Sequence, residues 1–421
     1  MKRFIAALAA APFCVLAAQA QTALPAAGRA VLTLEEALAE AVSRSPVSVA
    51  AKAGVSAAEA GRVVAGLRPN PSISIDTENA LGTGAYRGFD ESDTTASFAL
   101  PVELGGKRSA RIAVADARIR RAEVELAIAG ADFRFELTQA YANAIAADRL
   151  AAIAAAQATV TAENLRIARD RVMVGANSAI DEQRAALENV KARAEADAAG
   201  LAATAARMLL RQYAGDRALG ELDAGWLDRG IGIPYGPADL RAADGTLALA
   251  AAATDTEVAE AGLRLARSQR VPDVTLTAGT RRLEASNDQA MVFGITIPLP
   301  VFNSGKAGVT QAARERDQAE ARQRAALFEA EQEVAMAEAD RDRAAVAVGA
   351  SVPALAAAGE AARIARIGYA EGKFDQLVLL DAERIFLDTQ RAAIDARTAY
   401  HIAIARLERL TTRLPGAGGN P

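Results

Sequence analysis

The residues with the most obvious potential for chemistry are two glycine–lysine groups. Gly105-Gly106-Lys107 and Gly305-Lys306 look faintly like phosphate-binding loops. Such a loop needs another glycine five positions before the glycine of its Gly-Lys pair, and proline stands at both of those positions. We therefore interpret these glycines as points where the chain bends from a strand into a helix, because glycine adopts positive φ angles at low cost.

Metal binding and catalysis find little support among the other side chains. His401 is the only histidine and Cys14 is the only cysteine. A metal site needs several convergent ligands, and a Ser/His/Asp or Cys/His set needs a histidine with a supporting motif. We interpret His401 as an interhelical or surface histidine, and we expect no enzymatic activity, no cofactor and no metal site.

The first 20 residues have the pattern of a signal peptide. Lys2 and Arg3 precede an apolar run over residues 4–18, and residues 18–20 form a small-x-small cleavage site. The run is shorter than the roughly 20 residues that a membrane-spanning helix needs. The mature chain is expected to begin at Gln21 and, since Cys14 is removed, to lack disulfides.

Charge and hydropathy limit the surroundings of the mature chain. The full sequence has 48 basic and 52 acidic residues, and the two signs are interspersed. This balance argues against a nucleic-acid partner. No stretch after the leader is continuously apolar for 18 residues, so no transmembrane helix is predicted. If the chain enters a membrane, it must do so with strands.

One structural plan occurs twice. The passage Pro101–Lys107 recurs as Pro300–Lys306 at an offset of 199 positions, and Gly175 recurs as Gly372 at an offset of 197. Repeats of this kind indicate a duplicated unit. The predicted organisation is a signal peptide (1–20), a first repeat (21–214), a linker (215–237), a second repeat (238–412) and a disordered tail (413–421).

Each repeat is predicted to contain a helix, two strands, a very long helix, a turn and a returning helix. Thr33 opens the first helix, Glu36 completes a capping box, and the helical pattern continues to about Gly66. Period-two alternation indicates strands, whereas period 3.6 indicates helices. The predicted strands are about 72–79, 94–102, 273–281 and 290–298, and the predicted later helices are about 106–172, 179–213, 239–268, 305–371 and 376–410.

These elements need neighbours. Phe386, Ala393, Tyr400 and Leu407 recur every seven residues, which is the spacing of a coiled-coil seam. Each strand has one apolar face and one polar or small face, as expected for contact with lipid on one side and a lumen on the other. Four strands cannot close a barrel, and lipid tolerates no open edge. Oligomerisation is therefore predicted, although the strand count does not choose three copies.

The chain resembles the outer-membrane efflux proteins, the TolC-like family of exit ducts, over nearly its whole mature length. The resemblance is carried by five passages, Thr33–Ala37, Leu67–Pro71, Glu103–Arg108, Ile297–Lys306 and Tyr369–Asp375. It implies a mainly α-helical homotrimer with a twelve-stranded β-barrel in outer-membrane lipid on a long periplasmic α-helical barrel. It also implies two partners, a periplasmic adaptor and an inner-membrane RND pump.

The resemblance places a periplasmic tip and aperture at the turns near Gly175 and Gly372. In the family's well-known drug and toxin duct, a tyrosine, an arginine and two aspartates surround the constriction. Tyr369 and Asp381 stand at matching positions, and Phe374 stands where the family has the arginine. The candidate tip residues further include Asp375, which lies close enough to substitute for the missing first aspartate. Asp381 could equally be a solvated helix carboxylate, and Tyr369 a residue of the helix seam.

The predicted function is a passive outer-membrane exit duct of a tripartite efflux system. The Glu103–Arg108 strand exit looks most like the branch that serves cobalt–zinc–cadmium efflux, so heavy-metal cations are the expected cargo. One alternative is the same duct serving drugs or type I protein secretion. Another is a periplasmic coiled-coil adaptor or scaffold without a pore, which would not need the four alternating strands.

Overall fold

A computed structural model describes residues 31–231 and 245–414, without the side chains of residues 42–44. The predicted signal peptide, the last part of the predicted linker (232–237), the start of the helix predicted at 239 and nearly all of the predicted tail lie outside the described residues. The helices are α1 (Leu34–Arg44), α2 (Pro46–Ala65), α3 (Lys107–Met173), α4 (Ala179–Ala214), α5 (Leu247–Ser268), α6 (Lys306–Ala370) and α7 (Gln376–Thr411). The strands are β1 (Ser72–Glu78), β2 (Asp93–Val102), β3 (Val274–Leu283) and β4 (Asp288–Thr296).

The helix predicted from Thr33 to Gly66 is wrong as a single element. It is divided at Ser45, whose ψ of 127° lies outside the helical region. Pro46 then begins α2. Proline excludes the preceding residue from the helical conformation and has no N–H to continue the hydrogen-bond ladder. The Thr33 half of the predicted capping box is confirmed, because the Thr33 side chain accepts a hydrogen bond from the Glu36 N–H at 3.2 Å. The Glu36 carboxylate pairs with Arg217 instead.

The two longest helices set the dimensions of the protein. Helix α3 has 67 residues and α6 has 65, and at about 1.5 Å per residue each is ~100 Å long. Helix α3 packs against α4, and α6 packs against α7, as antiparallel hairpins, while α5 contacts both α3 and α6. The predicted seam of α7 is buried at Ala393, Tyr400 and Leu407. Mostly small seam residues allow the helices to approach closely.

Helix α6 also contains an apolar window in which charged residues are rare. Among the described residues, α6 alone has an 18-residue window with a mean hydropathy of 1.4 and at most two charged residues. By length and composition alone, this window could cross a membrane. Since α6 pairs with α7 and α5, one such window does not establish a membrane span.

The first part of the predicted linker is built into the main core. It forms two short 3₁₀ turns, Gly215–Leu219 and Ala224–Asp228. Leu222 forms a parallel bridge with Leu32, and Leu227 is fully buried. The largest cluster of buried residues joins this segment to α1, α3 and α4. The segment therefore holds the long helices together near their middle.

The four strands form one antiparallel sheet in the order β1-β2-β3-β4. The boundaries differ from the predicted ones by one or two residues. The β3–β4 ladder extends outward to Leu283 and Asp288, because backbone pairing continues through charged residues that end the alternating pattern. The ladder ends inward at Thr296, where the prolines at 298 and 300 lack an N–H donor.

The two faces of the sheet differ in polarity as predicted. One face carries large exposed apolar side chains, and Phe293 has 75% of its surface exposed. On the other face the hydroxyls of Ser74 and Ser97 are hydrogen-bonded at 2.8 Å. Within the described residues, β1 and β4 each have a strand partner on one side only. These edges and the apolar face are suited to a membrane barrel that several chains complete.

Candidate functional site

The first helical tip joins α3 to α4 near Gly175. Gly175 has a φ of +75°, which is the left-handed conformation that glycine adopts readily. The Asp181 carboxylate accepts hydrogen bonds from the backbone N–H of Ser178 at 3.1 Å and from its hydroxyl at 3.0 Å. Asp181 is the third residue of α4, so this is a capping box that satisfies the otherwise free N–H of Ser178.

The second helical tip joins α6 to α7 at the equivalent turn. Gly372 has a φ of +77°. The Asp375 carboxylate accepts a hydrogen bond from the Val378 N–H at 3.0 Å and so caps α7. The Phe374 ring lies over Gly368, where an added Cβ would stand 2.1 Å from the ring. The turn therefore requires a glycine at 368 and uses Asp375 as a cap.

Tyr369 lies inside the helix seam and is 2% exposed. It packs with Ala365 and Leu379, and Ile167 of the other hairpin lies against the same cluster. Within the described residues its hydroxyl is buried without a hydrogen-bond partner. Burial raises the pKa of this hydroxyl; Asp181 acts in the same direction and the cation of Arg171 opposes it.

Arg171 joins the two tips. Its guanidinium carbon lies 4.4 Å from the centre of the Tyr369 ring. It donates hydrogen bonds to the backbone carbonyls of Tyr369 and Ala370. Nearby, the Gln376 side-chain amide donates to the Asp181 carbonyl at 3.0 Å. The α3–α4 tip therefore contacts the α6–α7 tip through the guanidinium of Arg171 and the side-chain amide of Gln376.

Asp381 lies apart from this contact. It is exposed and forms an ion pair with Arg384 one turn further along α7, at 3.1 Å. The structure therefore brings Tyr369, Phe374 and Asp375 to the second tip. Asp381 lies further along α7, on an exposed face of that helix. No hydrogen bond or ion pair joins Asp381 to Tyr369 among the described residues.

Arg171 and the Arg366–Glu383 pair were missed by the sequence reasoning, which had named Tyr369. Arg171 lies four positions before Gly175, and Tyr369 lies three positions before Gly372. Since the two turns are equivalent, this spacing predicts that both side chains lie at a similar distance from their tips. Glu383 is 3% exposed and pairs with Arg366 across the α6–α7 hairpin. This hydrogen bond raises the pKa of Arg366.

The first strand exit (residues 101–107) is fixed by charges. Gly105 has a φ of +71°, and an added Cβ would stand 2.9 Å from the Ser268 carbonyl. The Lys107 ammonium lies 2.6 Å from the Asp273 carboxylate. Glu103 pairs with Arg111. The glycines at 105 and 106 therefore bend the chain into α3, and two ion pairs fix that bend.

The second strand exit (residues 297–306) bends in the same way with different chemistry. Gly305 caps α6 with a φ of +70°, and the Asn303 side chain accepts a hydrogen bond from its N–H at 3.0 Å. Lys306 is exposed and forms no ion pair among the described residues.

The polar face of the sheet carries charges at the end distant from the helices. Arg281 donates to the Thr95 hydroxyl at 2.9 Å and lies 3.4 Å from the Glu78 carboxylate. In the part of the chain that the structure describes, no group of three or more His, Cys, Asp or Glu residues could hold a metal ion. The face is polar without a chelating cluster.

His401 belongs to an aromatic cluster at mid-height. Its ring lies 4.2 Å from that of Trp226, and its Nε2 lies 3.2 Å from the Leu227 carbonyl. Burial lowers the pKa of His401; the hydrogen bond to Leu227 and the charge of Asp228 oppose this shift. His401 is therefore buried between α7 and the 3₁₀ turn Ala224–Asp228 and makes a structural contact to the core.

Comparisons with known proteins agree with these features. The family model described as "Outer membrane efflux protein" matches residues 37–216 and again residues 241–413. The cobalt-zinc-cadmium resistance protein CzcC of Cupriavidus metallidurans is 28% identical over 91% of this chain and 90% of its own length. The nickel and cobalt resistance protein CnrC of the same organism is 31% identical over 68% of each chain. The solved outer membrane protein VceC of Vibrio cholerae has a TM-score of 0.73 at 21% identity and covers 90% of this chain and 96% of that one.

Proposed function

The chain belongs to the outer membrane efflux protein family, and from this premise we propose that it is the exit duct of a three-component pump for heavy-metal cations. It is an outer-membrane channel protein that acts as a passive conduit and not as an enzyme. The cargo, the partners and the number of copies are the proposed parts.

The observation that carries the metal cargo is the extent of similarity to metal-resistance proteins. The matching relatives are named for resistance to cobalt, zinc, cadmium and nickel. The first of them aligns with 91% of this chain, so the similarity includes both strand pairs and both helical hairpins. A conduit should not hold its cargo tightly, because conduction requires weak binding. The polar face of the sheet, with isolated charges such as Arg281 and Glu78, is compatible with that requirement.

The strands require further copies of the chain. Each chain supplies four strands with open edges at β1 and β4. We propose that three chains pair these edges to form a twelve-stranded barrel in the outer membrane. The helical hairpins would then continue the channel into the periplasm.

The two tips would form the periplasmic end and contact the adaptor and the inner-membrane pump. The contact of Arg171 with Tyr369 would hold the two hairpins of one chain together there, and Phe374, Asp375 and Asp381 would lie beside the aperture.

The test of the cargo is a comparison of sensitivities. A strain without this gene is grown on cobalt, zinc and cadmium and, in parallel, on a panel of drugs, with the wild-type gene on a plasmid as the control. We expect the deletion to lower metal tolerance and the plasmid to restore it, with drug tolerance unchanged. Loss of drug tolerance alone would overturn the metal cargo. Absence of single-channel conductance in a planar bilayer would overturn the duct itself and favour a scaffold.

A further inference from the structure

The second strand exit exposes a short apolar segment. Leu299 and Val301 are 79% and 75% exposed, and Phe302 is fully exposed. The segment follows β4 directly, and β4 carries Phe293 and Ile295 on the apolar face of the sheet. Large apolar side chains at this density are not expected in contact with water. Large apolar side chains therefore remain exposed beyond the last ladder pair of β4.

A groove of about 380 Å³ with cationic character lies beside this segment. Its lining includes Arg270, Asn303, Ser304 and Gly305, and no carboxylate is among the lining residues. The stem of Arg270 lies against Gly305, where an added Cβ would stand 2.8 Å from the Arg270 Cγ. Lys306 follows Gly305 directly. Among the described residues, neither Arg270 nor Lys306 forms an ion pair, so two cations stand free next to an apolar segment.

Comparison of the two repeats isolates what is particular to this exit. In the first repeat, Lys107 is neutralised by Asp273, and Glu103 is neutralised by Arg111. At the repeat offset of 199, Phe302 stands in place of Glu103 and a threonine stands in place of Arg111. The charged side chains of the first exit are therefore paired with each other or with Asp273. The second exit exposes apolar side chains and two cations that have no ion pair among the described residues.

An apolar segment next to two cations matches an amphiphile with a negatively charged head group. An exposed apolar segment that follows a strand with an apolar face suits acyl chains, and the neighbouring cations suit a phosphate. Long basic side chains commonly reach from apolar surroundings to the membrane interface, and aromatic residues concentrate at the same level. A second copy of this chain is the competing occupant, and contact with it would shield the segment from both lipid and water.

We propose that the second strand exit, together with Arg270, binds a phospholipid with an anionic head group. The acyl chains contact Leu299, Val301 and Phe302, and the phosphate lies between Arg270 and Lys306. Each chain thus holds one lipid at the level where the barrel meets the helices. The inference rests on the proposed function, because it requires the strands to be in a bilayer.

The first test measures where Phe302 lies. The only cysteine precedes the expected mature terminus, so single cysteines can be introduced and spin-labelled without background. Phe302→Cys is compared in vesicles with Ile295→Cys on the apolar face and Val292→Cys on the polar face. We expect the label at 302 to collide with oxygen as at 295 and to be shielded from a water-soluble nickel chelate. Shielding from both probes would identify a protein contact and overturn the proposal, as would exposure to the chelate as high as at 292.

The second test measures head-group preference. The thermal midpoint of the full chain is recorded in phosphatidylglycerol and in phosphatidylcholine vesicles. Arg270→Gln/Lys306→Gln is compared with Arg322→Gln/Arg324→Gln, which removes the same charge from an exposed part of α6. We expect the first variant to lose at least half of the gain in phosphatidylglycerol and the second to keep it. Equal behaviour of the two variants would refute a local lipid site.

A third condition separates a lipid from free phosphate. Inorganic phosphate added to phosphatidylcholine vesicles should give no gain in the thermal midpoint; a gain equal to that in phosphatidylglycerol would overturn the lipid as the occupant. Single-channel conductance is recorded for the same variants. Conductance without a lipid effect would reject this inference and retain the duct, whereas absence of conductance in the wild-type protein would reject the duct.

Discussion

The contact between Arg171 and Tyr369 should control how easily the two hairpin tips separate. The change that tests this is Arg171→Met, which keeps a flexible apolar side chain against the ring and removes the cation and its donors. The lost cation–π interaction contributes about 1–2 kcal/mol when partly desolvated. The lost charged hydrogen bonds to the Tyr369 and Ala370 carbonyls contribute ~1.5–3 kcal/mol before solvent replaces them.

Because these contributions are not additive, we expect a loss of about 2–4 kcal/mol per chain. A tenfold change corresponds to about 1.4 kcal/mol. The ratio of separated to joined tips should therefore rise by roughly 30-fold to 1,000-fold. The assay is the open fraction of single channels in a planar bilayer, recorded at the same voltage and salt for variant and wild type.

The matched control is Tyr369→Phe. This change keeps the ring beneath Arg171 and removes only a hydroxyl that is buried without a partner in the described residues. Removing an unsatisfied buried group is close to neutral, so the open fraction should stay within about twofold of wild type. An Arg171→Met channel that opens no more than wild type would refute the reasoning. A Tyr369→Phe channel that opens as much as Arg171→Met would show that the hydroxyl, and not the cation, holds the tips.

Three further predictions concern stability and are checked by thermal midpoints of the purified protein. The pKa of His401 is lowered in the folded protein, so below about pH 6.5 the unfolded chain binds the proton more readily. The midpoint should therefore fall as the pH decreases from 7 to 5, and His401→Gln should reduce this fall; an unchanged slope would contradict the assignment. Gly105→Ala should lower the unfolding free energy by about 2 kcal/mol or more and so lower the midpoint. Its control is Gly130→Ala in α3, where nothing lies within 4 Å of the new Cβ, and this change should leave the midpoint unchanged or raise it. Tyr141→Phe removes a hydrogen bond of 2.8 Å to the Leu32 carbonyl and should cost about 1 kcal/mol; no change would mean that water replaces this bond.

The helices and strands were predictable because their signals are local. Helical periodicity, the cap at Thr33 and the glycines at the turns each depend on residues within a few positions of one another. The one clear error, the undivided first helix, also has a local cause: Pro46 stands inside a pattern that otherwise continues. Strand ends were off by one or two residues because hydrogen-bond pairing with a neighbour, and not side-chain alternation, decides where a ladder ends.

The site was less accessible to sequence reasoning. The resemblance pointed to Tyr369 and Asp381 as a pair, but the structure buries one in the seam and leaves the other exposed beside Arg384. Arg171, which contacts Tyr369, is 198 positions away in the sequence. No periodic pattern links such residues, because their proximity depends on how two ~100 Å hairpins are aligned.

The sequence by itself determined the duplication, the element types, the two faces of the strands and the need for further copies. All of these follow from short-range periodicity and from the requirement that apolar faces and strand edges be covered. Only the tertiary structure decided which charges are paired. It neutralised Lys107 through Asp273 and gave Lys306 no ion pair among the described residues, although the two lysines occupy equivalent places in the repeat. The physical reason is that an ion pair depends on a few ångströms of separation in space, and residues distant in the sequence meet only when the fold aligns them.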